Sequence, residues 1–243
     1  MLQGVVLGIH GRNKHRLENV VQACESKGAT VVYKTGDVMD ADSMSQWLKE
    51  VDIKRPIDLI IANAGVSENT AGNLNSFKEA TRILFRTNVD GVFNTVSPVI
   101  PWMKARKRGQ ICIMSSAASY FSPVSGHSVY SATKNAIKIW GEGLRAELAS
   151  YNIGVSVASP AFVESPMTDV VDVYMPFKMK TKDATDRMRD GISYNLSHIN
   201  LPPVMTAGGE VLQSIPATVR HFLAELGLLR LINISYTHRY GTK

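Results

Sequence analysis

A chain of 243 residues, 44% hydrophobic and 20% charged, can bury a full core, which excludes wholesale disorder and suits one large α/β domain. The formal charge of +6 invites a nucleic-acid reading. The basic residues are scattered, however, except for Lys104, Arg106, Lys107 and Arg108, which read as a solvated turn with no aromatics to stack bases, so nucleic-acid binding is not expected.

The N-terminal stretch "GVVLGIH" (4–10) is short, rich in Val and almost unbroken by polar residues, as a strand buried on both faces should be. A helix follows in "NKHRLENVVQACESKG", with Gly28 as its stop, then a strand in "ATVVYKT" (29–35). Asp40 is placed to cap a helix in "DADSMSQWLKEV", and "IDLIIANAG" (57–65) reads as the next strand. Long helical segments run from about Phe77 to Arg106 and from about Ser128 to Asn152, separated by the strand "QICIMSS" (110–116) and followed by the strand "IGVSVASP" (153–160). A helix in "TKDATDRMRDGISYN" and a last strand in "HINLP" complete the alternation. Strand–helix alternation at this spacing predicts a doubly wound parallel sheet, Rossmann-like and covered by helices on both faces, in one domain spanning 1–243. Two cysteines, Cys24 and Cys112, are too few for a disulfide framework, and Cys112 falls inside an apolar strand, so a reducing, cytoplasmic setting is the default. The chain shows no transmembrane stretch and no charged-then-apolar leader, and none of its six histidines has metal-site spacing, so no metal is expected.

In such sheets ligands sit outside the carboxyl ends of the strands. After the third strand come Asn63, Ala64 and Gly65, small residues that let a ribose and a base approach the backbone; taken alone they read equally well as an ordinary turn. After the fourth come Ser115 and Ser116, then Tyr130 and Lys134, four apart and therefore on one helix face. A lone pair of this kind is usually a surface pair. With Ser116 at a strand end and Asn88 upstream, it makes a coherent acid–base site. The ordinary tyrosine pKa of about 10 is too high for proton traffic near neutrality, and a nearby ammonium lowers it. A serine hydroxyl can bind a carbonyl oxygen where charge develops, and Asn88 is suited to hold a water that feeds protons to the lysine.

The stretches "IIANAG", "RTNVDGVF", "ICIMSSAASYFSPVSGHSVYSATK" and "VASPAFVESPMTD" resemble, in order and spacing, the short-chain dehydrogenase/reductase family over most of residues 4–200. The resemblance implies an oxidoreductase passing a hydride between a nicotinamide and a carbonyl or alcohol substrate. Tyr130 would be the general acid/base, Lys134 would lower its pKa and hold the nicotinamide ribose, Ser116 would position the carbonyl, and Asn88 would serve the proton relay. Pro160, Val163 and Ser165 would line the nicotinamide, with Ser165 on its carboxamide. Two departures stand out. Ser116 lies one position further from its tyrosine than the family's serine does, which keeps Ser115 as the alternative, and the family's Pro-Gly is Pro160-Ala161 here. The family commonly forms dimers or tetramers through the helix bearing the Tyr–Lys pair, so a homo-oligomer is implied.

NAD-preferring enzymes place an acid after the second strand to bind the ribose 2′-hydroxyl. This chain has "IHGRN" there, and Arg12 suits a 2′-phosphate, so NADP(H) is favoured over NAD(H), with Asp37 and Val38 against the adenine. The other reading of Arg12 is a surface arginine opening a helix. The family's substrate loop falls at 163–180, where Met167, Val170, Val171, Tyr174, Met175, Phe177 and Met179 suit a hydrophobic, lipid- or steroid-like carbonyl compound, or a loop that packs on the body or on a partner subunit. The C-terminal extension 206–243 reads as helical and suits covering the core or touching a membrane surface.

By this resemblance "MLQGVVLGIHGRN" is the family's second strand, and the first strand and its glycine-rich, pyrophosphate-holding turn have no counterpart before it. Two expectations follow. Either the start lies upstream and the protein is an intact reductase, or the chain as written binds cofactor poorly and serves as a binding or scaffold protein. The presence of Asn88, Ser116, Tyr130 and Lys134 together favours the first.

Overall fold

Runs of Val and Ile too short for helices and flanked by turn residues form six strands in a computed structural model, which describes residues 3–71, 76–121, 128–169 and 175–226. Val170, Val171 and Tyr174 of the predicted substrate loop, residues 122–127 before Tyr130, and 227–243 of the C-terminal extension lie outside the described residues. β1 (Val6–Gly11) pairs in parallel with β2 (Thr30–Thr35). β3 (Leu59–Ala62), β4 (Gly109–Met114), β5 (Ile153–Pro160) and β6 (His198–Leu201) form a second parallel run in that order. The hydrogen-bonded sheet is thus in two pieces. β1 and β3 do not pair with each other, and each has one edge with no described strand against it. On the exposed side of β3, Leu59 and Ile61 are 39% and 44% exposed, in a strand type that normally buries both faces.

The helices between the strands follow their sequence signals. Asn13 caps α1 (Lys14–Glu25) by accepting from Arg16 N at 2.9 Å, and Asp40 caps α2 (Ala41–Lys54) by accepting from Ser43 N at 3.0 Å. α2 carries Met44, Trp47 and Leu48 into the same apolar core as Ala62 of β3, Ile111 and Ile113 of β4 and Val155 of β5. Trp47 also lies against His10 of β1, ring centroids 5.3 Å apart, so one helix spans the break in the sheet.

The segment 77–106, read from sequence as one helix, is interrupted. α3 (Phe77–Phe85) widens into a π-turn over Arg86–Asp90, resumes as α4 (Gly91–Val96), tightens to a 3₁₀ turn over Ser97–Val99 and continues as α5 (Ile100–Arg106). Pro98 and Pro101 lack the amide that an unbroken helix needs, which accounts for the second change. The π-turn holds Asn88, and wide turns of this kind often mark functional positions. α6 (Ser128–Leu148) packs closely on the sheet at Gly141, where a Cβ would come within 3.1 Å of Ile113 Cδ1. Beyond β5 stand α7 (Pro166–Asp169), α8 (Thr181–Ser193), α9 (Pro203–Ser214) and α10 (Ala217–Glu225). Of the basic run, Arg106 binds Asp52 at 2.7 Å and Arg108 binds Asp58 at 2.9 Å, while Lys107 ends α5 in the left-handed conformation at φ 51°. No described helix is long and apolar enough to cross a membrane.

Candidate active site

Because the strands are parallel, the residues after β3, β4 and β5 emerge at one end of that sheet piece. Asn63, Ala64 and Gly65 follow β3, Ser115 and Ser116 follow β4, and Pro160 ends β5. α6 brings Tyr130 and Lys134 to the same place. The two serines, Ser116 and its sequence alternative Ser115, are separated by the alternation of an extended chain. Ser115 is 2% exposed and its hydroxyl donates to the Lys134 carbonyl at 2.8 Å, a bond that ties β4 to α6. Ser116 faces the other way. Its Oγ accepts from Ala118 N at 3.2 Å, lies 3.4 Å from the Pro160 carbonyl, and is hydrogen-bonded to the Tyr130 side chain.

Asn88 is fully buried and its amide is committed on all sides. Oδ1 accepts from Val66 N at 2.8 Å, and Nδ2 donates to Val66 O at 2.9 Å and to Thr133 Oγ1 at 3.0 Å. It therefore clamps the peptide just past Gly65 and, through Thr133, α6. Thr133, one residue before the lysine, donates in turn to Tyr130 O at 2.7 Å. A Cβ on Gly65 would stand 3.1 Å from Lys134 Nζ and 3.3 Å from Asn88 Oδ1, so the glycine leaves both polar ends room beside the backbone.

The electrostatics depart from the sequence reading in one respect. Lys134 is 3% exposed and its Nζ donates to Met114 O at 2.8 Å, 5.8 Å from the Tyr130 ring centroid. It does not hold the phenol pKa down in this arrangement. Burial raises the Tyr130 pKa above its ordinary value; the Ser116 hydrogen bond lowers it in part, and the nearby Glu68 carboxylate raises it further. Burial also pushes the Lys134 ammonium down to about 8. A water-poor site disfavours both charged forms, and the lysine's charge is directed at a carbonyl rather than at the tyrosine.

That depression has a stability consequence. Lys134 takes up its proton near pH 8 when folded and near 10.5 when unfolded, so below about 8 the folded state carries the full cost of a buried ammonium, about 3 kcal/mol. The cost is relieved as pH rises from 8 towards 10.5. Cys112, buried in β4 with its thiol pushed up to about 12, acts oppositely above pH 9. Urea unfolding of wild type should therefore show stability rising between pH 8 and 9, and Lys134→Met should flatten that rise. Equal slopes in the two proteins would rule out a depressed lysine.

At the other sheet piece, Arg12 follows β1 and Asp37 follows β2, their charged groups 3.7 Å apart. The Arg12 side chain is 55% exposed, whereas Asp37 Oδ1 accepts from Met39 N at 2.9 Å. Val38 holds this wall to α4, its carbonyl accepting from Asn94 Nδ2 at 2.9 Å. His10, overlooked in the sequence, lies between Trp47 and Gly36, and burial lowers its pKa. Beyond β5, Val163 bridges Met179, and Ser165 and Val163 are joined through Thr168, whose hydroxyl donates to Val163 O at 2.8 Å and accepts from Ser165 N at 3.0 Å. Of the apolar loop residues, Met179 packs against a cluster of Cys112, Ala158, Ile199 and Leu201, while Phe177 is 60% exposed. Sequence reasoning also missed Glu68 and Thr133, which carry no pattern beyond their position near the predicted residues.

A family model described as "short chain dehydrogenase" matches residues 1–173. An uncharacterised oxidoreductase of Myxococcus xanthus is 33% identical over 201 residues, covering 82% of this chain and 79% of its own. Among solved structures, a short-chain dehydrogenase from Sphingobium yanoikuyae in complex with NADPH superposes with a TM-score of 0.73 at 22% identity, over 97% of this chain and 90% of that one. A gluconate 5-dehydrogenase from Burkholderia cenocepacia in complex with NADP and tartrate gives 0.59 at 24% identity over 68% of this chain, and is itself covered to 64%, just under two thirds of its length. At these identities the two structures support the fold alone.

Proposed function

The chain belongs to the short-chain dehydrogenase/reductase family, and from that premise we propose that it interconverts a carbonyl and an alcohol with NADP(H), Tyr130 moving the proton. The observation that carries this reading is the meeting of Ser116, Tyr130, Lys134 and Gly65 at the carboxyl ends of β3–β5, with Asn88 locking them together.

The residues fit the two ends of a dinucleotide. Gly65 leaves backbone bare beside Lys134 Nζ, as a ribose needs, and the exposed Arg12 guanidinium stands over the wall formed by Asp37 and Val38. Lys134 would hold the nicotinamide ribose, Pro160, Val163 and Ser165 the nicotinamide, and Asn63 and Ala64 the approach from β3. When bound, the nicotinamide supplies or accepts the hydride. The Tyr130 phenol, kept protonated by burial, donates its proton to the substrate oxygen, and Ser116, already hydrogen-bonded to that phenol, binds the same oxygen and fixes its direction. Asn88 fixes the Val66 peptide and α6, so its part is to hold the geometry. Exposed Phe177, with Met167 and Met175 nearby in sequence, favours an apolar substrate.

Arg12 decides between the two nicotinamide cofactors. Thermal shifts with NADPH should exceed those with NADH, and Arg12→Ala should weaken NADPH binding about tenfold, the loss of one charge-assisted bond at about 1.5 kcal/mol, with NADH unchanged. Equal loss for both cofactors would mean Arg12 does not read the 2′-phosphate. The break between β1 and β3 favours a second reading, a scaffold that binds no cofactor; absence of any shift at millimolar NADPH would establish it.

A further inference from the structure

We propose that Glu68 is a positioning residue: its buried carboxylate docks the segment after β3 onto the first turn of α6 and opposes negative charge on the Tyr130 phenol.

Glu68 is 9% exposed, uncommon for a glutamate unless it is held by partners. Its Oε1 accepts from the backbone amide of Tyr130 at 3.1 Å. That amide lies in the first turn of α6, where backbone donors have no partner within the helix and a carboxylate is favoured by the helix dipole. The cap here comes from a segment 62 residues away, so it is also a tertiary tie. It acts with two others. Two residues earlier, Asn88 holds both the amide and the carbonyl of Val66, and Thr133, bonded to the same Asn88, donates to the Tyr130 carbonyl. The tyrosine's backbone is therefore gripped at its amide by Glu68 and at its carbonyl by Thr133, and both grips lead back to the segment 66–68 that borders Gly65.

The same carboxylate faces the phenol electrically. Polar groups near Tyr130 include Ser116 from the end of β4, Glu68, and Lys134 from α6 with its Nζ 5.8 Å from the ring centroid; α3 contributes apolar Ile83 and Leu84 to the cluster in which Tyr130 packs. Lys134 is drawn to Met114 O, and the Glu68 carboxylate adds to burial in the direction that keeps Tyr130 protonated. Its catalytic weight rests on the reading of Tyr130 as proton donor; the tie itself does not.

The test is the ionisation of Tyr130 in the full chain, read by NMR of ring-labelled tyrosine and assigned by loss of the signal in Tyr130→Phe. Glu68→Gln keeps an oxygen for the amide but removes the charge. It should raise the phenolate fraction at any pH below the midpoint, with melting close to wild type. Glu68→Ala should lower the melting temperature, and Glu68→Gln should restore it. A glutamine variant whose tyrosine titrates as in wild type overturns the proposal, as does an alanine variant with unchanged melting. The titration needs neither cofactor nor substrate. A shifted titration without NADPH oxidation on any carbonyl would therefore defeat the oxidoreductase reading and leave the role of Glu68 standing, and an unshifted titration with turnover would do the reverse.

Discussion

Tyr130→Phe should lower NADPH-dependent reduction of a carbonyl roughly 100- to 10,000-fold while NADPH continues to stabilise the protein against heat. The range is what a positioned general acid contributes. The two readouts separate because the phenol hydroxyl is the group proposed for the substrate oxygen, whereas the groups assigned to the cofactor's ends, Arg12, Gly65 and Lys134, are untouched. Folding should survive, since phenylalanine keeps the ring that packs beside Val66, Leu84 and Val129. Steady-state rates over a panel of apolar and polar ketones, set beside melting curves with and without NADPH, make the comparison. Retained turnover would remove Tyr130 from the chemistry.

Asn88→Ala should cost about 2–5 kcal/mol of unfolding free energy, one of the largest effects available to a polar substitution in this chain. The side chain is fully buried and satisfies both the amide and the carbonyl of Val66, itself 3% exposed. Removing it leaves two buried backbone groups without partners, at about 1–3 kcal/mol each. Thr133 loses its donor as well, so the grip on the Tyr130 carbonyl loosens. Asn88→Asp keeps an acceptor for the Val66 amide but sets an oxygen against the Val66 carbonyl, and should be no better than alanine. Denaturant midpoints measure both. A loss under about 0.5 kcal/mol would show that the clamp contributes little.

The strands were legible because each is a short run of Val and Ile bounded by turn residues, and the predicted and observed spans of β2 and β5 differ by at most one residue. The site was legible for a topological reason: parallel strands deliver whatever follows them to one end, so Asn63, Ser116 and Pro160 could be gathered by inspection. What escaped depends on distance in sequence or on direction in space. No local pattern marks Glu68 as the cap of a helix that begins 60 positions later. The π-turn at Arg86–Asp90 sits in residues that read as ordinary helix, and both the aim of Lys134 at the Met114 carbonyl and the burial that raises the Tyr130 pKa follow from packing rather than from the i,i+4 spacing.

The break between β1 and β3 gives the proposed ligand a mechanical part. The Arg12 and Asp37 wall stands on the β1–β2 piece, and the Gly65, Ser116 and Lys134 wall on the β3–β6 piece. Among the described residues no ladder hydrogen bonds cross the seam; α2 and the contact of Val38 with α4 do. A dinucleotide reaching from one wall to the other is a non-covalent cross-link over that seam. On the proposed reading, its binding energy would go partly into joining two half-sheets, making cofactor occupancy and the cohesion of the molecule one equilibrium.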